Sequence, residues 1–260
     1  MTGSTLGRAL NRWIWPFAIL ILLLAIWEVA VRVTHVPAWQ LPPPSAIARS
    51  FRDDHALLWK HTLVTLKEVL LGFGLALVAG LLVGIAIDAS PILERAIYPL
   101  IIASQTIPMV ALAPLLLIWF GYGLLPKVLV TALVCFFPIA VNTVDGLRVA
   151  DREMLSLLKS MGASGWQQFQ LVKAPASLPS IFTGARIAIA FSVIGAVFGE
   201  LVGASEGLGY LMQRSAAQFQ TARVFAAIVI LSMMGVGLFA LVSLLERIAL
   251  PWRRFVTDES

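Results

Sequence analysis

Six stretches of this chain, residues 13–33, 69–87, 96–120, 128–144, 181–202 and 224–245, each run for roughly twenty residues with almost no charge. A helix rises about 1.5 Å per residue, so each is long enough to cross the roughly 30 Å hydrocarbon core of a bilayer. In lipid every backbone polar group has to be satisfied internally, and for consecutive apolar stretches of this length that means helices. The expectation is therefore an all-α, polytopic membrane protein of about six transmembrane helices, a single transmembrane domain over residues 1–260. Composition agrees: 59% of residues are hydrophobic and only 13% are charged, about half the share of a soluble domain. An ordinary soluble enzyme and a disordered tail are both excluded. The fifth stretch is the weakest, because Arg186 and Glu200 leave only residues 187–198 uninterrupted, and Arg186 is expected to snorkel to the interface.

Arg8 and Arg12 precede the first stretch, which is too long for a secretory signal and lacks a following small-x-small cleavage site, so an uncleaved span is expected. Six spans place both termini on one side. Basic residues concentrate in the tail (Arg247, Arg253, Arg254) and between spans four and five (Arg148, Arg152, Lys159, Lys173), which favours a cytoplasmic location for both. The net charge of +5 is dispersed and reads as topology, with no nucleic-acid footprint.

Chemistry of the enzymatic kind finds little to work with. Cys135 lies in an apolar run, where a small buried hydrophobe is the expected role, and it has no partner for a disulfide within the chain. His35, His55 and His61 fall in one connection without the spacing of a ligand pair and read as loop residues. No Gly-Lys-Ser/Thr phosphate loop is present, so the chain itself should bind no nucleotide cofactor and hydrolyse no ATP.

The first connection, residues 34–61, opens with Pro37 and Pro42-Pro43-Pro44, which cannot continue a helix. Ala46, Ile47, Phe51, Ala56, Leu57 and Leu58 then interleave with Arg49, Arg52, Asp53 and Asp54, as in an interfacial helix or a plain helical connector.

The informative polar segment is residues 150–179. Met154, Leu157, Leu158 and Met161 fall at i, i+3, i+4 and i+7, one face of a short helix that Asp151 can cap and Gly162 can end with positive φ. A second short helix puts Trp166, Phe169 and Val172 on one face, and Pro175 and Pro179 are expected to stop it. Such an apolar ridge either inserts into a groove on a partner or folds back on its own membrane domain.

In this segment Val172 and Pro175 stand ten and thirteen residues after Gly162. The run resembles the cytoplasmic coupling loop of ATP-binding-cassette importer permeases: Glu-Ala-Ala, three residues, Gly, nine residues, Ile, one residue, Leu-Pro. Ser156, Leu157 and Leu158 replace Glu-Ala-Ala, and Ala174 replaces the Leu. The following stretch LPSIFTGARIAIAFSVIGAVFGELVGASEGLGYL is similar to the nitrate, sulfonate and taurine branch. IPMVALAPLLLIWFGYGLLPKVLVTALVCFFPIAVNTVDGL is similar to permeases of thiamine pyrimidine precursors and riboflavin. The resemblance implies a dimeric type I importer permease, a multi-pass subunit of the bacterial cytoplasmic (inner) membrane. It also implies two ATPase subunits carrying ATP and Mg, a second permease copy in a homodimer, and an external substrate-binding protein. It assigns the ATPase contact to Leu157, Leu158, Met161, Gly162, Ala163, Trp166, Phe169, Val172 and Pro175.

Within the spans, Gly80 and Gly84, and Gly199 and Gly203, have the spacing that lets helices approach closely. Pro108, Pro114 and Pro138 remove backbone donors and offer places to bend. Gln105, Thr106, Pro108, Asn142 and Glu200 are the candidate translocation path, because polar groups facing lipid would be costly. Asp145 fits the interface instead, and Trp119, Phe120 and Tyr122 fit either a stacking platform or an interfacial belt. An ATP-independent secondary transporter or a structural subunit is the alternative, but no paired broken helices repeat across two halves.

Overall fold

The computed structural model of the protein describes residues 3–251, with side chains from 15 onward. Arg8, Arg12, Arg253 and Arg254, used in the orientation argument, lie outside the described side chains. Every regular element among the described residues is helical. In order they are α1 (Gly3–Val33), α2 (Pro44–Asp53), α3 (His55–Ala89), α4 (Pro91–Ser104), α5 (Met109–Phe120) and α6 (Leu124–Arg148). There follow α7 (Arg152–Ser160), α8 (Gly165–Gln168), a wide π-turn (Phe169–Lys173), α9 (Ala174–Leu201), α10 (Leu208–Ala217) and α11 (Thr221–Ala249). Five helical runs are long and apolar enough to cross a membrane, and six if α4 and α5 count as one bent span.

The chain divides into two compact units, residues 1–59 with 211–229, and residues 60–210 with 230–260. In the first, α1 leaves Trp15, Phe17, Ile21 and Leu22 exposed, the surface of a helix that faces an apolar solvent. Its Glu28 carboxylate accepts from the Ser45 backbone N–H at 2.9 Å and the Ser45 hydroxyl at 2.8 Å. The start of α2 is thereby fastened, where Pro44 occupies a first-turn position with no donor to lose. Trp27 packs on Phe225 with ring centroids 5.5 Å apart.

In the second unit α6 is the centre, with α3 on one side and α9 on another. Small residues permit the approach: a Cβ on Gly80 would stand 2.7 Å from Ile139 Cγ2, and one on Gly84 2.6 Å from Thr143 Cγ2. On α9, a Cβ on Gly184 would come within 2.6 Å of the Pro138 carbonyl, on Gly195 within 2.9 Å of Thr131 Cα, and on Gly199 within 3.0 Å of Lys127 Cα. Contacts therefore run along most of the length of the α6–α9 pair. Cys135 is fully buried between them and donates to the Ala188 carbonyl.

Several sequence expectations are corrected here. Residues 96–120 are not one straight span: α4 and α5 meet at 103°, since Pro108 cannot donate and restricts the residue before it. Pro138, by contrast, does not interrupt α6, where packing on α3 and α9 outweighs one missing hydrogen bond. Pro175 and Pro179 do not stop the second loop helix; the helical course continues from Gly165 through the π-turn into α9. The wide turn ends at Lys173, two residues before Pro175, and spans the Leu171 carbonyl with which the proline ring would otherwise clash. Gly203 is not on a helix face but beyond α9, at φ 125°. Arg186 does not snorkel; it pairs with Glu246 at 3.1 Å. Finally, α3 starts fourteen residues before the predicted 69, so His61 is a buried helix residue.

Candidate coupling surface and passage

At the end of the second unit where α6 finishes and α9 begins, Asp151 caps α7 by accepting from the Glu153 N–H at 2.8 Å. Gly162 ends the helix at φ 84°, a conformation open to glycine at no steric cost. Ser164 and Gln167 then form a reciprocal capping box that starts α8. Trp166 stacks on Phe169 with centroids 5.5 Å apart and planes 18° apart. Along this loop Met154, Leu157, Met161 and Trp166 are 56 to 74% exposed, while Leu158, Ala163, Phe169 and Val172 are half-buried. One part of the apolar pattern therefore faces inward and leaves a ridge facing out. A cavity of about 480 Å³ opens between the end of α3 (Ile85, Asp88) and Trp166, Phe169 and Lys173.

Two ion pairs brace this end. Lys173 Nζ donates to Asp88 Oδ2 at 2.7 Å, and Arg148 donates to Glu94 Oε1 at 2.6 Å with its guanidinium 5.3 Å above the Tyr98 ring.

The break between α4 and α5 exposes Gln105, Thr106, Ile107 and Pro108. Irregular backbone within a membrane is tolerated only where it is covered by protein or lines a water-filled cavity. The half-buried Asn142 is placed differently: its Nδ2 donates to the Pro138 carbonyl at 2.7 Å, in the contact with Gly184. Glu200 is fully buried, accepting from the Thr65 hydroxyl at 2.6 Å and from the Gly209 N–H. The five candidate path residues thus fall into three places.

Around Glu200 stands a polar cluster at the opposite end of the same unit, near the start of α6 and the end of α9. His61 Nδ1 accepts from the Gly207 N–H at 2.9 Å, and Thr65 Oγ1 accepts from the Leu208 N–H at 2.8 Å. Lys127, at the start of α6, pairs with the fully buried Glu68 at 2.7 Å. At the surface Lys60 holds Glu206 at 2.6 Å, and this hydrogen bond lowers the Glu206 carboxyl below its ordinary range.

The sequence family described as the binding-protein-dependent transport system inner membrane component matches residues 76–249. The chain belongs to this family of permeases. The permease is 43% identical, over 92% of its length and 96% of the other's, to the formylaminopyrimidine transport permease protein ThiX of Halalkalibacterium halodurans. It is 41% identical to the riboflavin transport system permease protein RibX of Chloroflexus aurantiacus, over 94% of each chain. It is 30% identical to the taurine transport system permease protein TauC of Escherichia coli, over 93% of each. In fold, an inward-facing structure of the MetNI methionine ABC transporter superposes with a TM-score of 0.59 at 21% identity, over 73% of this permease and 98% of that chain. The protein is thus a multi-pass permease subunit of an ABC importer for a small solute, with an all-helical type I fold.

Sequence reasoning about this permease missed His61, Thr65, Glu68 and Lys127. A signal was available, because residues 61, 65 and 68 share one helical face. It was hidden by Lys60, Lys67 and Glu68, whose charges lower local hydropathy and move the apparent start of the span to 69. Lys60 and Glu68 have charged partners within the fold, so the helix begins earlier.

Proposed function

We propose that this permease carries a small heteroaromatic solute, of the formylaminopyrimidine or flavin class, inward by alternating access driven by ATP on partner subunits. The observation that carries the reading is the exposed ridge of Met154, Leu157, Met161 and Trp166, whose Trp166 end runs by continuous helix into α9. A displacement of that ridge is a displacement of the rod that packs along α6.

Two ATPase subunits, which hold ATP and Mg, would seat the ridges of two permease copies. An external binding protein would deliver the cargo. The exposed break at Gln105 to Pro108 is then covered by the second copy or lines the water-filled passage between them. Both termini are cytoplasmic in this arrangement. The half-buried Leu158, Ala163, Phe169 and Val172 support the ridge from below, the exposed Pro175 lies at the start of α9, and Gly162 sets the angle between the two short helices.

The cargo class is supported by the higher identity to the ThiX and RibX proteins than to the sulfonate and taurine permeases. The test is uptake by the permease reconstituted with its ATPase and binding protein. ATP-dependent accumulation of a formylaminopyrimidine or riboflavin, competed by neither taurine nor nitrate, is expected. Uptake that persists without the ATPase subunit would overturn the coupling reading.

A further inference from the structure

The first residues of α10 present consecutive backbone donors that a helix cannot satisfy itself, and in an apolar bundle an unmet donor is costly. Here three side chains from two other helices, α3 and α9, receive them in succession. His61 takes the N–H of Gly207, Thr65 that of Leu208, and Glu200 that of Gly209. Thr65 in turn donates its hydroxyl proton to Glu200 Oε1 at 2.6 Å, so the acceptors form one connected set. Thr65 and Glu200 are fully buried and His61 is 5% exposed.

The approach depends on absent side chains. A Cβ on Gly207 would stand 2.2 Å from the Glu200 carboxyl carbon, and one on Gly209 3.0 Å from Glu200 Oε2. Gly207 also sits at φ 118°. At the other end of the connecting loop, Gly203 abuts the last turn of α5 and the residues after it: its Cβ would lie 3.0 Å from Leu117 Cδ1 and 3.2 Å from Tyr122 Cε1. Residues 202–207 therefore run from the end of α5 to a fastening on α3 and α9.

We propose that Glu200, Thr65 and His61 are positioning residues that latch this loop over the end of α5 and hold the outer end of the passage closed. The inference rests on the importer reading for the words outer and passage, but the latch itself does not. Polar bonds suit the role because they are strong while the site is dry and exchange for water once it opens. The loop thus has two arrangements, one closed on side chains and one hydrated. The bent α4–α5 pair connects the covered end of α5 to the exposed Gln105 to Pro108 segment, so release of the loop frees the outer end of that element.

The experiment places a reporter cysteine at Leu117, half-buried beneath Gly203, in full-length permease in lipid nanodiscs; the native Cys135 is fully buried. Labelling by a membrane-impermeant maleimide is compared in L117C alone and with Thr65→Val, Glu200→Ala, Glu200→Gln or Ile139→Ala. Thr65→Val and Glu200→Ala should each raise the labelling rate about threefold to tenfold, the worth of one buried hydrogen bond in an opening equilibrium. Glu200→Gln, which keeps an acceptor for Gly209, should lie between these and the parent. Ile139→Ala, a core change away from the latch, should leave the rate unchanged.

Unchanged labelling in both latch variants, or equal acceleration by Ile139→Ala, would overturn the proposal. Co-purification of an ATPase subunit, scored on the same preparations, separately decides the importer reading. A latch that responds while no ATPase binds would refute that reading and leave the latch standing.

Discussion

Lys173 Nζ lies 2.7 Å from Asp88 Oδ2, joining the wide turn that feeds α9 to the C-terminal end of α3. The pair is 27% and 13% exposed, which places it between a screened surface bridge and a buried one. Lys173→Met should lower ATP-coupled uptake about twofold to fivefold, in line with a pair worth up to about 1 kcal/mol. The exchange Asp88→Lys with Lys173→Asp should recover part of the loss. Uptake per hydrolysed ATP, measured in proteoliposomes, checks both.

Trp166 is 63% exposed and supported mainly by its stack on Phe169. Trp166→Ala should therefore change thermal stability little, yet weaken ATPase-subunit binding by about 2 kcal/mol or more if it is the central anchor of the ridge. Gly162→Pro should have a similar effect on coupling, because proline cannot adopt the φ of 84° found there. Binding by biolayer interferometry beside thermal unfolding separates anchor from scaffold. Equal loss of both in Trp166→Ala would refute the assignment.

Gly80 and Gly74 lie on the same helix but differ in what surrounds them. A Cβ on Gly80 would meet Ile139 Cγ2 at 2.7 Å and the Ala140 backbone nitrogen at 3.2 Å, whereas Gly74 has nothing within 4 Å. Gly80→Leu should destabilise by about 1 to 3 kcal/mol through overpacking, and Gly74→Ala should be neutral or slightly stabilising. Unfolding in detergent with a common denaturant series reads the difference.

Asp54 and Arg223 pair at 2.6 Å within the first unit, and this hydrogen bond holds the Asp54 carboxyl below its ordinary range. A lowered folded-state value means that the unfolded chain binds protons more readily, so stability rises with pH across the interval between the two values. The contribution is fully present above the ordinary aspartate value of about 3.9 and is lost as pH falls through the lowered one. Asp54→Asn should thus be less stable than the parent at pH 7, with the difference shrinking as the pH falls through the lowered value. Thermal unfolding across a pH series tests the convergence.

The legible part of this protein was its local physics. Apolar runs announced helices, Asp151 and Gly162 announced the ends of α7, and the spacing of Trp166 and Phe169 announced the face on which their rings stack. These outcomes depend on neighbours within a turn or two of the chain. The same reasoning failed at Pro175 and Pro179, where a proline looks like a stop until a wide turn upstream makes room for its ring.

It failed also where charges cancel across long separations. Lys127 and Glu68 are 59 residues apart, and each alone argues against a span at its position. Arg186 looked like an interfacial anchor until Glu246 came within 3.1 Å.

The sequence by itself determined that this chain is helical, membrane-spanning and joined to a patterned polar loop, because backbone satisfaction in lipid and helical periodicity leave no other solution. Only the tertiary structure decided where α4 and α5 bend, which proline is absorbed and which one breaks a helix, and that His61, Thr65 and Glu200 converge on one loop. Those outcomes are set by contacts between residues distant in sequence, whose energies outweigh the local preferences of each.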